Sequence, residues 1–95
     1  MKIYLSGPMT DLPDFNRPEF NRVAAILRAQ GHCVFNPAET DDYEPRKSFA
    51  EYCNWICLEA DMIILLSGWQ KSKGAMVELK LAEYIGVNVR EFYER

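Results

Sequence analysis

Residues 61–66 read Asp-Met-Ile-Ile-Leu-Leu, and this unbroken apolar run decides the fold. A strand with apolar side chains on both faces of its pleat has both faces covered, the habit of a parallel sheet packed between helices. Outward from it, strands and helices alternate. Toward the N-terminus, residues 2–6 (Lys-Ile-Tyr-Leu-Ser) form a first strand that stops at Gly7-Pro8. Lys2, Tyr4 and Ser6 lie on one of its faces, Ile3 and Leu5 on the other. Asn16-Arg17-Pro18-Glu19 has the form of a helix start: Asn16 as cap, Pro18 in the first turn, Glu19 at the capping-box position. Phe15 and Phe20 occupy the positions of a hydrophobic staple. Phe20, Val23, Ala24 and Leu27 make the inward stripe, and Gly31 ends the helix.

Residues 32–36 read as a second strand, and 37–47 as a loop with two prolines and four acids. Ser48 with Glu51 forms a second capping box, and Phe49, Tyr52, Cys53 and Ile56 carry a helical stripe to about Glu59. After the 61–66 strand, 67–74 is a loop, a third helix runs from about Gly74 to Tyr84 or Ile85, and 87–92 is a fourth strand or an extended tail. Strands separated by single helices pair in parallel through right-handed crossovers. The expectation is one domain over residues 1–95, a three-layer α/β/α sandwich, Rossmann-like, with about four strands in the order 2-1-3-4. In such sheets ligands sit at the carboxyl ends of the strands where the order reverses, here between the first and third.

Ninety-five residues leave no room for a second core. Eleven basic against fourteen acidic side chains, a net charge of −3, argue against a protein that coats nucleic acid or an anionic membrane. No apolar run approaches the roughly 20 residues of a membrane span, and no signal-peptide pattern opens the chain. Cys33, Cys53 and Cys57 are an odd number and read as reduced thiols in a cytoplasm.

The crevice collects Tyr4, Ser6, Gly7, Met9 and Thr10 from the first strand and its loop, and Ser67, Gly68, Trp69, Ser72 and Gly74 from the loop after the third. The glycines let backbone approach a ligand or simply permit turns; neither loop carries a Walker A or dinucleotide fingerprint. On periodicity, the third helix turns Ala75, Leu79, Ala82 and Ile85 or Gly86 inward, with Val77, Leu81 and Tyr84 alongside. Glu78 then falls one position off that stripe, where a carboxylate is ordinarily solvated or salt-bridged. It gains interest because the crevice lies at this helix's start.

Three segments together, Ile3-Tyr4-Leu5-Ser6-Gly7-Pro8, Ala60-Asp61-Met62-Ile63-Ile64-Leu65-Leu66 and Ser72-Lys73-Gly74-Ala75-Met76-Val77-Glu78, resemble the nucleoside 2-deoxyribosyltransferase superfamily. Gly7-Pro8-Met9-Thr10, Phe15-Asn16 and Gly68-Trp69 with Ser72-Lys73-Gly74-Ala75 resemble more closely its DUF4406 branch of bacteria and their phages. The resemblance implies cleavage of the N-glycosidic bond of a nucleoside or nucleoside 5′-monophosphate, by transfer to another base or to water. It implies Glu78 as the carboxylate beneath the oxocarbenium-like anomeric carbon and Tyr4 as its partner. Ser6, Gly7, Met9, Ser67, Gly68, Trp69, Ser72 and Gly74 are the implied substrate-binding residues. Ser72 and the Gly74 region match the part that holds a 5′-hydroxyl or 5′-phosphate. Trp69 either stacks on a base or packs as a lid or interface residue. No cofactor and no metal is implied, and a homo-oligomer is, with the neighbouring subunit completing the pocket.

One position departs from that pattern. Superfamily members carry an aspartate eight residues before the one that starts the third strand, and here that position is Cys53. A thiol, with a pKa of about 8.5, does not replace a carboxylate in protonating a leaving base. Glu51 and Asp14 are possible stand-ins without support from spacing. Cys53 with Cys57, and His32 with Cys33, match no compact zinc spacing, and His32 stands at the wrong end of its strand for a Cys–His pair. Arg46-Lys47 and Lys71 with Lys73 lie near the strand ends, as solvated charge or as partners of a phosphate. Three readings follow: a glycosidic-bond enzyme using Glu78, a nucleotide-binding module without turnover, or an interaction protein using residues 37–47 and Trp69.

Overall fold

In a computed structural model, which describes residues 1–41 and 44–93, four parallel strands form one sheet in the order β2-β1-β3-β4. They are β1 (Lys2–Ser6), β2 (Cys33–Phe35), β3 (Met62–Leu65) and β4 (Asn88–Glu91). The helices are α1 (Arg17–Ala29), α2 (Pro45–Leu58) and α3 (Lys73–Ile85). The expected order and the three layers hold. Phe20, Val23, Ala24 and Leu27 of α1 pack with Ile3, Leu5, Val34, Ile64 and Leu66 on one face. Tyr52 and Ile56 of α2 and Ala82 of α3 pack with Tyr4, Ile63 and Leu65 on the other. Adjacent Ile63 and Ile64 therefore enter opposite cores, as the two-faced apolar run requires. Each large aliphatic or aromatic side chain so buried contributes roughly 1.5–3 kcal/mol.

The ends of the elements differ from expectation in instructive ways. Asn16 does not cap α1: it sits at φ +59 with no side-chain cap bond, and its amide donates instead to the Pro8 carbonyl at 2.9 Å. Phe15 is half exposed with the Arg17 guanidinium 5.0 Å over its ring, while Phe20 is in the core. The helix α2 begins at Pro45, three residues before the expected capping box, because proline's missing N–H and fixed φ suit a first helical position. Ser48 lies inside the first turn, its hydroxyl accepting from the Glu44 N–H at 3.3 Å. The expected 37–47 loop also contains a 3-10 turn, Pro37–Glu39, held by the Asn36 side-chain Oδ1 accepting from the Ala38 N–H at 3.0 Å. Residues 42 and 43 of that loop lie outside the described residues.

Where β1 runs out, the chain passes tightly against the end of β3. The Leu66 N–H donates to the Ser6 carbonyl at 2.8 Å, and a Cβ on Gly7 would lie 2.9 Å from the Leu66 Cβ. That close approach brings the first loop over the sheet's carboxyl edge. Gly7→Ala should therefore lower stability by about 1–3 kcal/mol, measured as a drop in the urea midpoint at unchanged slope; an unchanged midpoint would show that this crossing has slack.

Candidate functional site

Helix α3 starts at Ser72, whose hydroxyl oxygen accepts from the Ala75 N–H at 3.1 Å. Its buried stripe is Ala75, Glu78 and Ala82, so Glu78 lies at the centre of the inward face and not one position off it. The correction has a steric cause. Small side chains at 75 and 82 let the helix approach the sheet, and the longer Glu78 reaches between them. Of the residues expected inward, Leu79 is half-buried and Ile85 exposed; Val77 and Tyr84, expected alongside the stripe, are exposed, Tyr84 to 90%.

Glu78 is 5% exposed. The Tyr4 hydroxyl donates to its Oε2 at 2.6 Å and the Ser6 hydroxyl to its Oε1 at 2.7 Å. Both donors come from one face of β1, two residues apart, which is why they reach the same carboxyl group. Burial pushes the Glu78 carboxyl up to about 7, against the pull of these two hydrogen bonds toward the charged form. The Tyr4 hydroxyl, itself buried, is held well above its ordinary range by that burial and then by the neighbouring carboxylate. The result is an acid that changes charge near neutrality while both its oxygens stay fixed.

This carboxylate faces a cleft of about 460 Å³. The expected residues Tyr4, Ser6, Gly7, Met9, Thr10, Ser72, Gly74 and Glu78 all line it. Ser67, Gly68 and Trp69 do not. Ser67 lines a separate depression of about 350 Å³. Gly68 is a turn residue at φ +87. The Trp69 indole N–H donates to Glu91 Oε1 at 2.7 Å, which turns the ring toward β4. Lys71 and Lys73 line the cleft; Arg46 and Lys47 are exposed and do not.

Several cleft residues were not anticipated. Asp11 and Phe15 come from the segment before α1, Arg17 from the first position of α1, Thr40 from the loop after β2, and Phe49 and Tyr52 from α2. Thr40 and Tyr52 share a hydroxyl–hydroxyl hydrogen bond of 2.8 Å. Cys53 is half-buried and stands outside the lining; burial, then the Glu78 charge, then Cys57 push its thiol upward, so it stays protonated. Neither suggested stand-in reaches the cleft: Asp14 pairs with Arg17 at 3.0 Å and Glu51 is exposed. Among the described residues the other carboxylate lining the cleft is Asp11.

Among the described residues no group of three or more His, Cys, Asp or Glu is placed to hold a metal. The His32 Nδ1 lies 3.2 Å from the N-terminal amine, at the opposite end of the sheet from the cleft. Among the described residues no helix is long and apolar enough to cross a membrane.

The model of the DUF4406 family, a domain of unknown function, matches residues 1–91. No curated protein matches the chain. Among solved structures the chain is similar to a 2-desoxiribosyltransferase from Leishmania mexicana, with a TM-score of 0.77 and 21% identity. That likeness covers 96% of this chain and 63% of the other, so this chain spans a little under two thirds of its length and shares its fold.

The raised Glu78 pKa has a stability consequence whose sign is definite. A carboxyl group whose pKa rises on folding from 4.5 to about 7 favours the folded state most below 4.5, and that contribution is lost as pH climbs through 7. Glu78→Gln, which removes the charge and keeps the shape, should stabilise the protein by roughly 2–3 kcal/mol at pH 8 and by about 1 kcal/mol or less at pH 5. Chemical denaturation at the two pH values reads this directly; an equal effect at both would place the ordinary carboxyl pKa on Glu78.

Proposed function

This chain belongs to the DUF4406 family, and from that premise and the geometry of its cleft we propose that it cleaves the N-glycosidic bond of a nucleoside or nucleoside 5′-monophosphate. The observation that carries the reading is the buried Glu78 carboxyl, gripped by Tyr4 and Ser6 and open to the cleft. As the bond between the anomeric carbon and the base breaks, its electron pair leaves with the base and positive charge gathers on the sugar. An ionised Glu78 stabilises that charge and, as nucleophile, bonds to the anomeric carbon; water or a second base then displaces it. Tyr4 and Ser6 keep the carboxylate aimed, so little reorientation is needed as charge develops. Substrate binding falls to Ser6, Gly7, Met9, Ser72 and Gly74, with Lys71 and Lys73 available to a phosphate. The fold shared with a 2-desoxiribosyltransferase supports the same reading.

A second reading is favoured by one observation, the thiol at Cys53 in place of a carboxylate. Without a strong acid for the leaving base, turnover drops by a factor on the order of 10²–10⁴, and the domain becomes a nucleotide-binding module. The setting proposed in either case is a cytoplasmic homo-oligomer. Three free thiols support the first part, and the exposed Leu58, Val77 and Tyr84 on α2 and α3 support the second.

Purified protein incubated with 2′-deoxynucleosides and their 5′-monophosphates should release free base, followed by chromatography. Its kcat/KM should fall about tenfold per unit of pH below about 7 as Glu78 takes up a proton. Glu78→Gln should reduce release by about 10³-fold or more. Release untouched by that substitution contradicts the enzymatic reading; binding without release selects the binding module.

A further inference from the structure

Phe15 is a residue whose placement core packing does not explain. Its ring lines the cleft yet is half exposed, whereas Phe49 is half-buried and Tyr52 and Phe20 are buried. Its backbone lies at φ +51, between Asp14 at φ +50 and Asn16 at φ +59. Three successive residues other than glycine in the left-handed region are costly, and such strain persists where surroundings enforce it, often at ligand sites. Enforcement is visible here. The Phe15 N–H donates to the Leu12 carbonyl at 3.0 Å, and the Asn16 amide donates to the Pro8 carbonyl at 2.9 Å. Arg17 holds Asp14 at 3.0 Å and lies over the Phe15 ring at 5.0 Å. The cation takes one face of the ring, which leaves the other to a flat ligand. Trp69, for which stacking on a base was one of two expectations, is tied to Glu91 outside the cleft.

We propose that Phe15, backed by Arg17 and held by the strained Asp14–Asn16 segment, is the platform on which the nucleobase stacks at the mouth of the Glu78 cleft. The assignment rests on the glycosidic-bond reading or its binding-module variant, since both require a base in the cleft. Phe15 in this role sets affinity and base preference, leaving the chemistry to Glu78. Base stacking on an aromatic ring is tolerant of sequence but sensitive to ring area. Purines, with the larger face, should therefore bind more tightly than pyrimidines.

Strain gives the test a signature that an ordinary structural role lacks. Glycine adopts φ +51 without penalty, so Phe15→Gly should leave the thermal midpoint equal or higher while weakening ligand binding. Calorimetric titration of the full chain with 2′-deoxyadenosine, 2′-deoxycytidine and their 5′-monophosphates reads the affinity. Phe15→Gly and Phe15→Leu should each lose about tenfold or more, and Phe15→Tyr should stay within about twofold of the native chain. Affinity for 2-deoxyribose 5-phosphate, which has no base, should be unchanged in all three. Phe15→Gly or Phe15→Leu binding as well as the native chain, or losing the sugar phosphate equally, overturns the assignment and leaves the Glu78 reading intact. A native chain that binds none of these nucleosides or nucleotides overturns both.

Discussion

Two hydroxyl groups of one short strand, Tyr4 and Ser6, hold the two oxygens of a single buried carboxylate at 2.6 and 2.7 Å. An acid this far from water strongly favours its neutral form, and two donors partly offset that preference. The balance leaves Glu78 near 7, neither locked neutral like a core acid nor permanently charged like a surface one. Any fourth residue supplying a full positive charge would have fixed the ionised state and ended the titration. The Tyr4 ring, meanwhile, stacks on Phe35 at 5.4 Å and tilts against Tyr52 and Trp55. The hydroxyl that aims the carboxylate is thus positioned by an aromatic cluster that is itself part of the fold.

The topology makes that meeting unavoidable. Because β1 lies between β2 and β3, its carboxyl end is where successive crossovers part to opposite sides of the sheet. The loop after β1 leads toward α1 on one face; α3 packs with α2 on the other. A helix entering from the β3 side with alanine at 75 and 82 settles close enough for position 78 to reach β1. The bare Gly7 lets the β1 loop pass Leu66 without pushing the strands apart. The cleft is thus the direct product of a strand-order reversal, two small side chains and one missing Cβ.

What could be read in advance follows from which forces are local. The two-faced apolar run at 61–66, the Phe20–Leu27 stripe and the Gly31 stop are short-range patterns, and they yield the strand order and the layers. Glu78 was misplaced by one helical position because periodicity weighs Leu79 for its size, while close packing against a sheet rewards Ala75 and Ala82. Asn16 had the composition of a cap, but its side chain was claimed by the Pro8 carbonyl, a contact eight residues away. Trp69 belonged to the right loop and faced the wrong way, drawn off by Glu91 on β4. Nothing in their spacing marked Phe15, Arg17 and Thr40 as cleft residues, because residues of a loop or a helix start reach a cleft through tertiary placement alone. An aromatic next to two residues tolerant of left-handed backbone, Asp14 and Asn16, is the one trace that was available.

The most direct measurement is an NMR pH titration of the Glu78 side-chain carboxyl carbon, in the native chain and in Tyr4→Phe. A midpoint near 7 that moves higher when the Tyr4 hydroxyl is removed is the expected result, since that hydroxyl favours the charged form. A midpoint near the ordinary carboxyl value of 4.5, unmoved by the substitution, would mean that Glu78 lies in water and apart from Tyr4. The account of the cleft would then be wrong.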